Sequence, residues 1–240
     1  MKLLVYITLI GSLFAQSIDD EINEKFIKSL VEDINRQRNN AVIKRIDDSE
    51  ILNTNYSSHA EVIRIKALYN LDEVDLALIR AKAINPLNLP SNLRTSFYLI
   101  MGDIYSVKGY YDLAFQNYID ARRVNIDSRS KKTINRRIAK LLPLNLKYDT
   151  LELLLLLEED ERNKNIILLA QTFTLAFDGS SNTAEKFQKI DLSMLDRDFR
   201  TNYNFLNRNI DSETTFSKKV GVILPLTNEN STISNAFLKG

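Results

Sequence analysis

Apolar residues recur every three to four positions from Ile18 to about Arg208, in pieces the length of ordinary helices separated by short polar breaks. Ile22, Phe26, Ile27, Leu30, Val31 and Ile34 mark the first such face, and the spacing predicts an amphipathic helix there. The same periodicity predicts helices through Ser57 to Leu71, Asp72 to Asn85, Ile134 to Leu142, Leu151 to Leu157, Ile166 to Phe177 and Ala184 to Ile190, with Asp178 to Asn182 as a turn. Leu206 to Lys219 has no long apolar run and reads as connecting chain, with residues 211–217 as the linker proper. The pattern then changes. Val220 to Leu226 is apolar without alternation, as in a strand buried on both faces of a parallel sheet. Such a strand needs partners that this sequence does not supply before Gly240. The expectation is a piece of a longer protein: mainly α, with helical hairpins over 18–210 and the first strand and helix of an incomplete α/β domain over 218–240.

One hairpin stands out, from Arg94 to Asn125. Tyr98 is followed by Met101-Gly102, then Tyr105, a turn glycine at Gly109, and Ala114, Tyr118 and Ala121 in the second helix. Small residues at 102, 114 and 121 allow two antiparallel helices and their neighbour to approach closely, and the aromatics at 98, 105 and 118 fill the remaining space. This segment resembles a tetratricopeptide repeat, a helix-turn-helix unit of about 34 residues with an aromatic, Leu-Gly, Tyr, and later Ala and Phe at fixed positions. Ile126 stands where that repeat closes with Pro. Ser57 to Asn85 is a degenerate copy: Leu78 and Ala81 fit the second helix, while Val62 and Val74 occupy positions where small residues are expected. The resemblance implies a right-handed α-solenoid of at least three hairpins, able to grasp a protein or peptide partner.

Composition adds limits. With 44% hydrophobic and 26% charged residues the 240-residue chain has an ordinary globular make-up. Its 32 basic and 31 acidic residues leave a formal charge of +1, which provides no long-range attraction for nucleic acid. Only 6 Gly and 4 Pro argue against a turn-rich all-β fold. Met1-Lys2, the apolar run Leu3 to Phe14 and small residues through Ser17 have the three parts of a secretory signal, taken as residues 1–17. A membrane anchor is the alternative, although the run is shorter than the roughly 20 residues of a spanning helix. Cysteine is absent, so neither disulfides nor a lipid-bearing cysteine after the signal is available. These features predict a periplasmic or secreted protein that is not a lipoprotein and has no membrane span once the signal is removed.

Lys219-Val-Gly-Val-Ile-Leu-Pro-Leu-Thr227 and Ala236-Phe-Leu-Lys-Gly240 resemble the first strand and helix of the periplasmic-binding fold of the Leu/Ile/Val receptor type. That resemblance covers about a tenth of the chain, and Asn228 stands where the family has Gly. It implies a small-molecule ligand in the domain that begins here, with Thr227, Asn228 and Ser231 on the rim of the cleft, since ligands of open α/β sheets bind beyond the carboxyl ends of strands. A buried strand of some other doubly wound domain is the alternative. Helical repeats ahead of such a domain resemble the penicillin-binding-protein activators of the cell envelope and related repeat-plus-receptor proteins. The implied function is an envelope scaffold. The rival is a substrate-binding receptor of an amino-acid transporter with accessory repeats.

Candidate chemistry is sparse. His59 is the single histidine and reads as a surface residue without metal ligands at coordinating distance in sequence. Glu158 to Glu161 reads as a solvated turn between helices. Lys131-Lys132 with Arg136-Arg137 forms one basic face and Arg122-Arg123 a second, either docking surfaces for an acidic partner or solvated faces. Leu153 to Leu157 reads as core or as an interface between repeats. No phosphate loop, nucleophile elbow or acid/base pair is present in the sequence, so neither catalysis nor a cofactor or metal is expected.

Overall fold

A computed structural model of the chain describes residues 2–124, 128–144 and 146–210, with side chains described from residue 19 onward. The described residues are mainly helical and contain no strand. The eleven helices among them are α1 (Lys2–Asn35), α2 (Asn39–Asp47), α3 (Ser57–Asn70), α4 (Val74–Lys82), α5 (Ser91–Val107), α6 (Tyr111–Arg123), α7 (Ser128–Leu141), α8 (Tyr148–Leu157), α9 (Glu161–Phe177), α10 (Thr183–Gln188) and α11 (Arg200–Ile210). The strand expected over Val220 to Leu226 lies outside the described residues, as do the linker 211–217 and the candidate ligand residues Thr227, Asn228 and Ser231.

Successive helices pair through one repeated device. At the end of α5, Gly109 takes a left-handed φ of 76°, its N–H donates to the carbonyl of Ser106, and the N–H of Tyr110 reaches back to the carbonyl of Tyr105 at 2.9 Å. This Schellman ending satisfies carbonyls that the last turn of a helix otherwise leaves unpaired. The same pair of bonds closes α1 at Gln37 (φ 60°), α3 at Asp72 (φ 65°) and α9 at Gly179 (φ 68°). The four left-handed positions, 37, 72, 109 and 179, are spaced by 35, 37 and 70 residues, so the turn recurs with a period near 35 and one beat is skipped. The skipped beat falls at the end of α7, where Pro143 follows Leu142 and interrupts helical hydrogen bonding.

The α5–α6 hairpin shows why the local sequence folds this way. Leu93, Phe97, Ile100, Met101 and Ile104 recur at helical spacing and are buried, as are Ala114, Phe115, Tyr118, Ile119 and Ala121 opposite them. Gly102 lies where α6 comes closest: a Cβ on it would stand 2.8 Å from Cζ of Tyr118 and nearer still to other atoms of that ring. Tyr98 and Tyr105 are half-buried and pack against both neighbouring clusters of apolar residues.

The core forms three successive layers. Ile27, Leu30, Val42 and Ile46 of α1 and α2 pack on Ala60, Ile63 and Ala67 of α3. The opposite side of α3, with Val62, Ile65 and Leu68, packs on α4 and α5. The third layer runs from α6 to α11 around Phe115, Ile134, Ile138, Phe173 and Phe199. Leu206 is fully buried in that layer, so the stretch from Leu206 to Ile210 is the last part of α11 and not connecting chain. The pattern misleads there because α11 buries few residues and is polar elsewhere.

Polar groups tie the layers together. Asp103 of α5, 5% exposed, accepts hydrogen bonds from the Tyr118 hydroxyl at 2.8 Å and from both Nε and Nη2 of Arg137 on α7. Arg122, read from the sequence as part of a basic face, has a side chain that is only 4% exposed and is consumed internally, bonding Asn163 at 2.7 Å, Asp196 at 2.9 Å and Asn135. Glu158 departs from the solvated turn expected for it: its carboxylate is buried, takes the N–H groups of Glu159 and Asp160, and pairs with Arg123 at 3.1 Å, while Glu159, Asp160 and Glu161 are exposed. The Leu153 to Leu157 run is split as well. Leu154 is buried, whereas Leu153, Leu156 and Leu157 face outward.

Two expectations follow for stability. Gly102→Ala gains helix propensity but drives a methyl into Tyr118, and we expect a net loss of about 1–3 kcal/mol in chemical denaturation. That loss shrinks when Tyr118→Leu opens the space, since the two sites are in contact. Asp72→Gly and Gln37→Gly each relieve a side chain held in the left-handed region and raise stability by about 0.5–1 kcal/mol, whereas Gly109→Ala lowers it. An unchanged midpoint for all three turn variants argues against the φ values that define the turns.

Candidate functional site

The residues that shape a site come from the same side of α1, α3 and α5. An open cavity of about 320 Å³ is walled by Ile27, Val31 and Ile34 of α1, by Val62, Ile63 and Lys66 of α3 and by Leu93 and Ile100 of α5. His59, Asn92 and Ser96 complete its rim. The first three turns of α5 supply Asn92, Ser96 and Ile100 because these positions lie four residues apart, on the face turned away from α6. Pockets of this kind, mostly apolar with a few convergent polar groups, are the usual form of a binding site.

Two polar groups in this cavity are held at a cost. The Nδ1 atom of His59 is shut off from water and has no hydrogen-bond partner, while its ring lies beside that of Tyr56. His59 is thus half-buried in a cavity wall, in contrast to the surface position read from the sequence. Lys66 is the second. Burial holds its ammonium below the usual lysine range, with Asp103 acting in the opposite sense and Arg137 adding to the depression. Its Nζ lies 4.7 Å from the centre of the Tyr69 ring, and no carboxylate binds it among the described residues. Asp103, which acts on Lys66 electrostatically, is occupied by Tyr118 and Arg137.

Lys66 of α3 is therefore within electrostatic reach of Asp103 on α5 and of Arg137 on α7, which are bonded to each other. Arg137 belongs to a basic helix. Ser128–Leu141 holds six Lys and Arg residues and no acid. Two of these are neutralised inside the protein: Arg137 by Asp103, and Lys131 by Asp196 at 3.0 Å. Lys132, Arg136 and Lys140 are exposed and have no partner among the described residues.

The residues singled out from the sequence take structural places. Gly102, Ala114, Tyr118 and Ala121 lie in the α5–α6 interior, Tyr98 and Tyr105 at its borders, and Gly109 in the turn. None of them lines the cavity. The residues that do, Lys66 above all, do not stand out in the sequence pattern. The available signal is Lys66 itself, a lone cation in the otherwise apolar stretch Ile65 to Leu68. Among the described residues there is no group of acids and histidine able to hold a metal ion, and no helix is long and apolar enough to cross a membrane. Comparison with protein-family models, with curated proteins and with solved structures finds no match to this chain.

Lys66 provides a direct test. Lys66→Met keeps the stem packed and removes the buried ammonium, so the melting temperature rises at neutral pH. The pH dependence has a definite sign. A folded-state value below the unfolded 10.5 means the unfolded chain holds the proton more tightly, so the deficit of the native protein is complete at neutral pH. It disappears as pH rises through the folded value towards 10.5. The difference in stability between the unaltered chain and Lys66→Met accordingly narrows as pH rises towards 10.5; a difference that stays constant with pH rules out the buried charge as its source.

Proposed function

We propose that the chain is part of an exported, non-enzymatic envelope scaffold, in which tetratricopeptide-like hairpins hold a partner protein ahead of a ligand-binding domain of the periplasmic-binding type. The observation that carries this reading is the cavity between α1, α3 and α5, which exposes an apolar lining and keeps Lys66 partly desolvated without a carboxylate. Both properties cost stability in the free chain and are relieved by a partner that brings an apolar side chain and an acceptor. The period near 35 residues in the Schellman turns supports repeated hairpins, since one supersecondary unit reappears at that interval. The signal-like residues 1–17 and the strand-like Val220 to Leu226 support export and the second domain.

A photo-reactive amino acid introduced at Asn92, on the exposed rim of the cavity, tests the reading in the full-length protein. Irradiation in its native envelope should give a discrete adduct with another polypeptide, and Ser96→Trp, which fills the cavity from its exposed side, should remove that adduct. A probe on the outer surface of α4, at Ile79, should not give it. If the Asn92 adduct is absent, or persists undiminished in the Ser96→Trp protein, the cavity is not where a partner binds.

A further inference from the structure

The cavity is mostly apolar, and Lys66 in its wall lies within electrostatic reach of Arg137 on α7, the helix that carries the exposed cations. Ile100 lines the cavity, and Asp103 lies one helical turn further along α5, where it engages Arg137 of α7. Arg136 adjoins Arg137 in sequence, and Lys132 and Lys140 lie one turn to either side of Arg136. Steps of 100° per residue place these three opposite Ile134, Ile138 and Leu141, all of which are buried, so the cationic stripe points out of the protein. Lys66 lies in the cavity wall, within electrostatic reach of both Asp103 and Arg137.

This arrangement discriminates among partners. The chain as a whole is nearly neutral, at +1, yet Lys132, Arg136 and Lys140 stand together on one face of α7 with no acid on that helix to offset them. A nucleic acid binds chiefly through many phosphates along a continuous basic track, and three exposed cations on one helix of a nearly neutral chain do not make one. A polypeptide can supply both requirements. One large apolar side chain fills the cavity, and carboxylates on the residues that follow meet cations the fold leaves uncompensated.

We propose that the partner's binding segment is an acidic peptide with one apolar anchor, the anchor seated between α1, α3 and α5 and the acids passing over Lys66 towards Lys132, Arg136 and Lys140. The assignment rests on the reading of the cavity as a partner-binding groove and specifies what the groove selects.

A displayed library of random peptides about twelve residues long, selected against the full chain, is the test. Two variants are selected in parallel: Ser96→Trp, which plugs the cavity, and the triple change Lys132→Glu, Arg136→Glu and Lys140→Glu. Each of these substituted positions is exposed, and circular dichroism checks that each variant melts as a folded protein. Enriched peptides should carry one Leu, Ile, Met or Phe with at least two Asp or Glu to one side of it. A synthetic peptide of that kind should lose about tenfold in affinity on the triple variant, the scale expected from removing several exposed charge pairs, and bind undetectably to Ser96→Trp. Its affinity for the unaltered chain should also fall with added salt, and fall less for a copy with Asn and Gln in place of the acids; this comparison needs no protein variant.

Peptides that depend on the cavity but show no preference for acids, and bind the triple variant unchanged, overturn the acidic assignment and leave the groove standing. Absence of any enrichment beyond that on Ser96→Trp overturns both. A fluorescent single-stranded oligonucleotide that binds more tightly than any selected peptide, and is lost on the triple variant, assigns the stripe to nucleic acid instead.

Discussion

A carboxylate withdrawn from water has to be met by donors, and Asp103 is withdrawn between three helices. Without Tyr118 and Arg137 its burial would cost several kcal/mol. With them, α5, α6 and α7 are fixed at one point: the hydroxyl sets the height of α6 against α5, and the two guanidinium bonds set the orientation of α7. Tyr118 can occupy that position only because Gly102 leaves room for its ring. The close approach of α5 and α6 and the polar bond that orders α7 are therefore one constraint, not two.

Much of the helical architecture is legible in the sequence. The limits of α3 and the turn between α5 and α6 follow from apolar spacing and from Gly109, although α5 begins at Ser91, ahead of the Arg94 where the hairpin is read in sequence, and Gly102 with Ala114 and Ala121 points to a tight helix pair from spacing alone. The features that escape such a reading do so for identifiable reasons. Gln37 and Asp72 adopt the same left-handed turn as Gly109 and Gly179, and side chains that seldom do so conceal how the turn recurs. Arg122 and Glu158 look solvated in sequence because charge runs usually are, and only the fold brings Asn135, Asn163, Asp196 and Arg123 to meet them. The cavity is hidden for a related reason: its walls come from three helices spread over more than sixty residues, each contributing ordinary apolar positions.

The two ends of the described chain differ in kind. From α1 to α6 the hairpins follow one another with the same turn and nearly the same spacing. From α7 on, the pattern loosens. Pro143 replaces the turn, α8 buries Leu151 and Leu154 but leaves three leucines outside, and α10 is a short helix beside the irregular segment before α11. The polar network around Arg122 compensates by stitching α6, α7 and α9 to Asp196 in that irregular segment, where apolar repeats no longer dictate the packing.

α3 takes part in two of the three core layers, one on each side, and almost none of its surface reaches water along its middle. Mechanically it is the shared plate between two stacked springs. Tension applied at the α1 end would peel α1 and α2 from one side of α3 while the other side stayed seated on α4 and α5, so the molecule can yield in steps, lengthening by one hairpin before the next is disturbed.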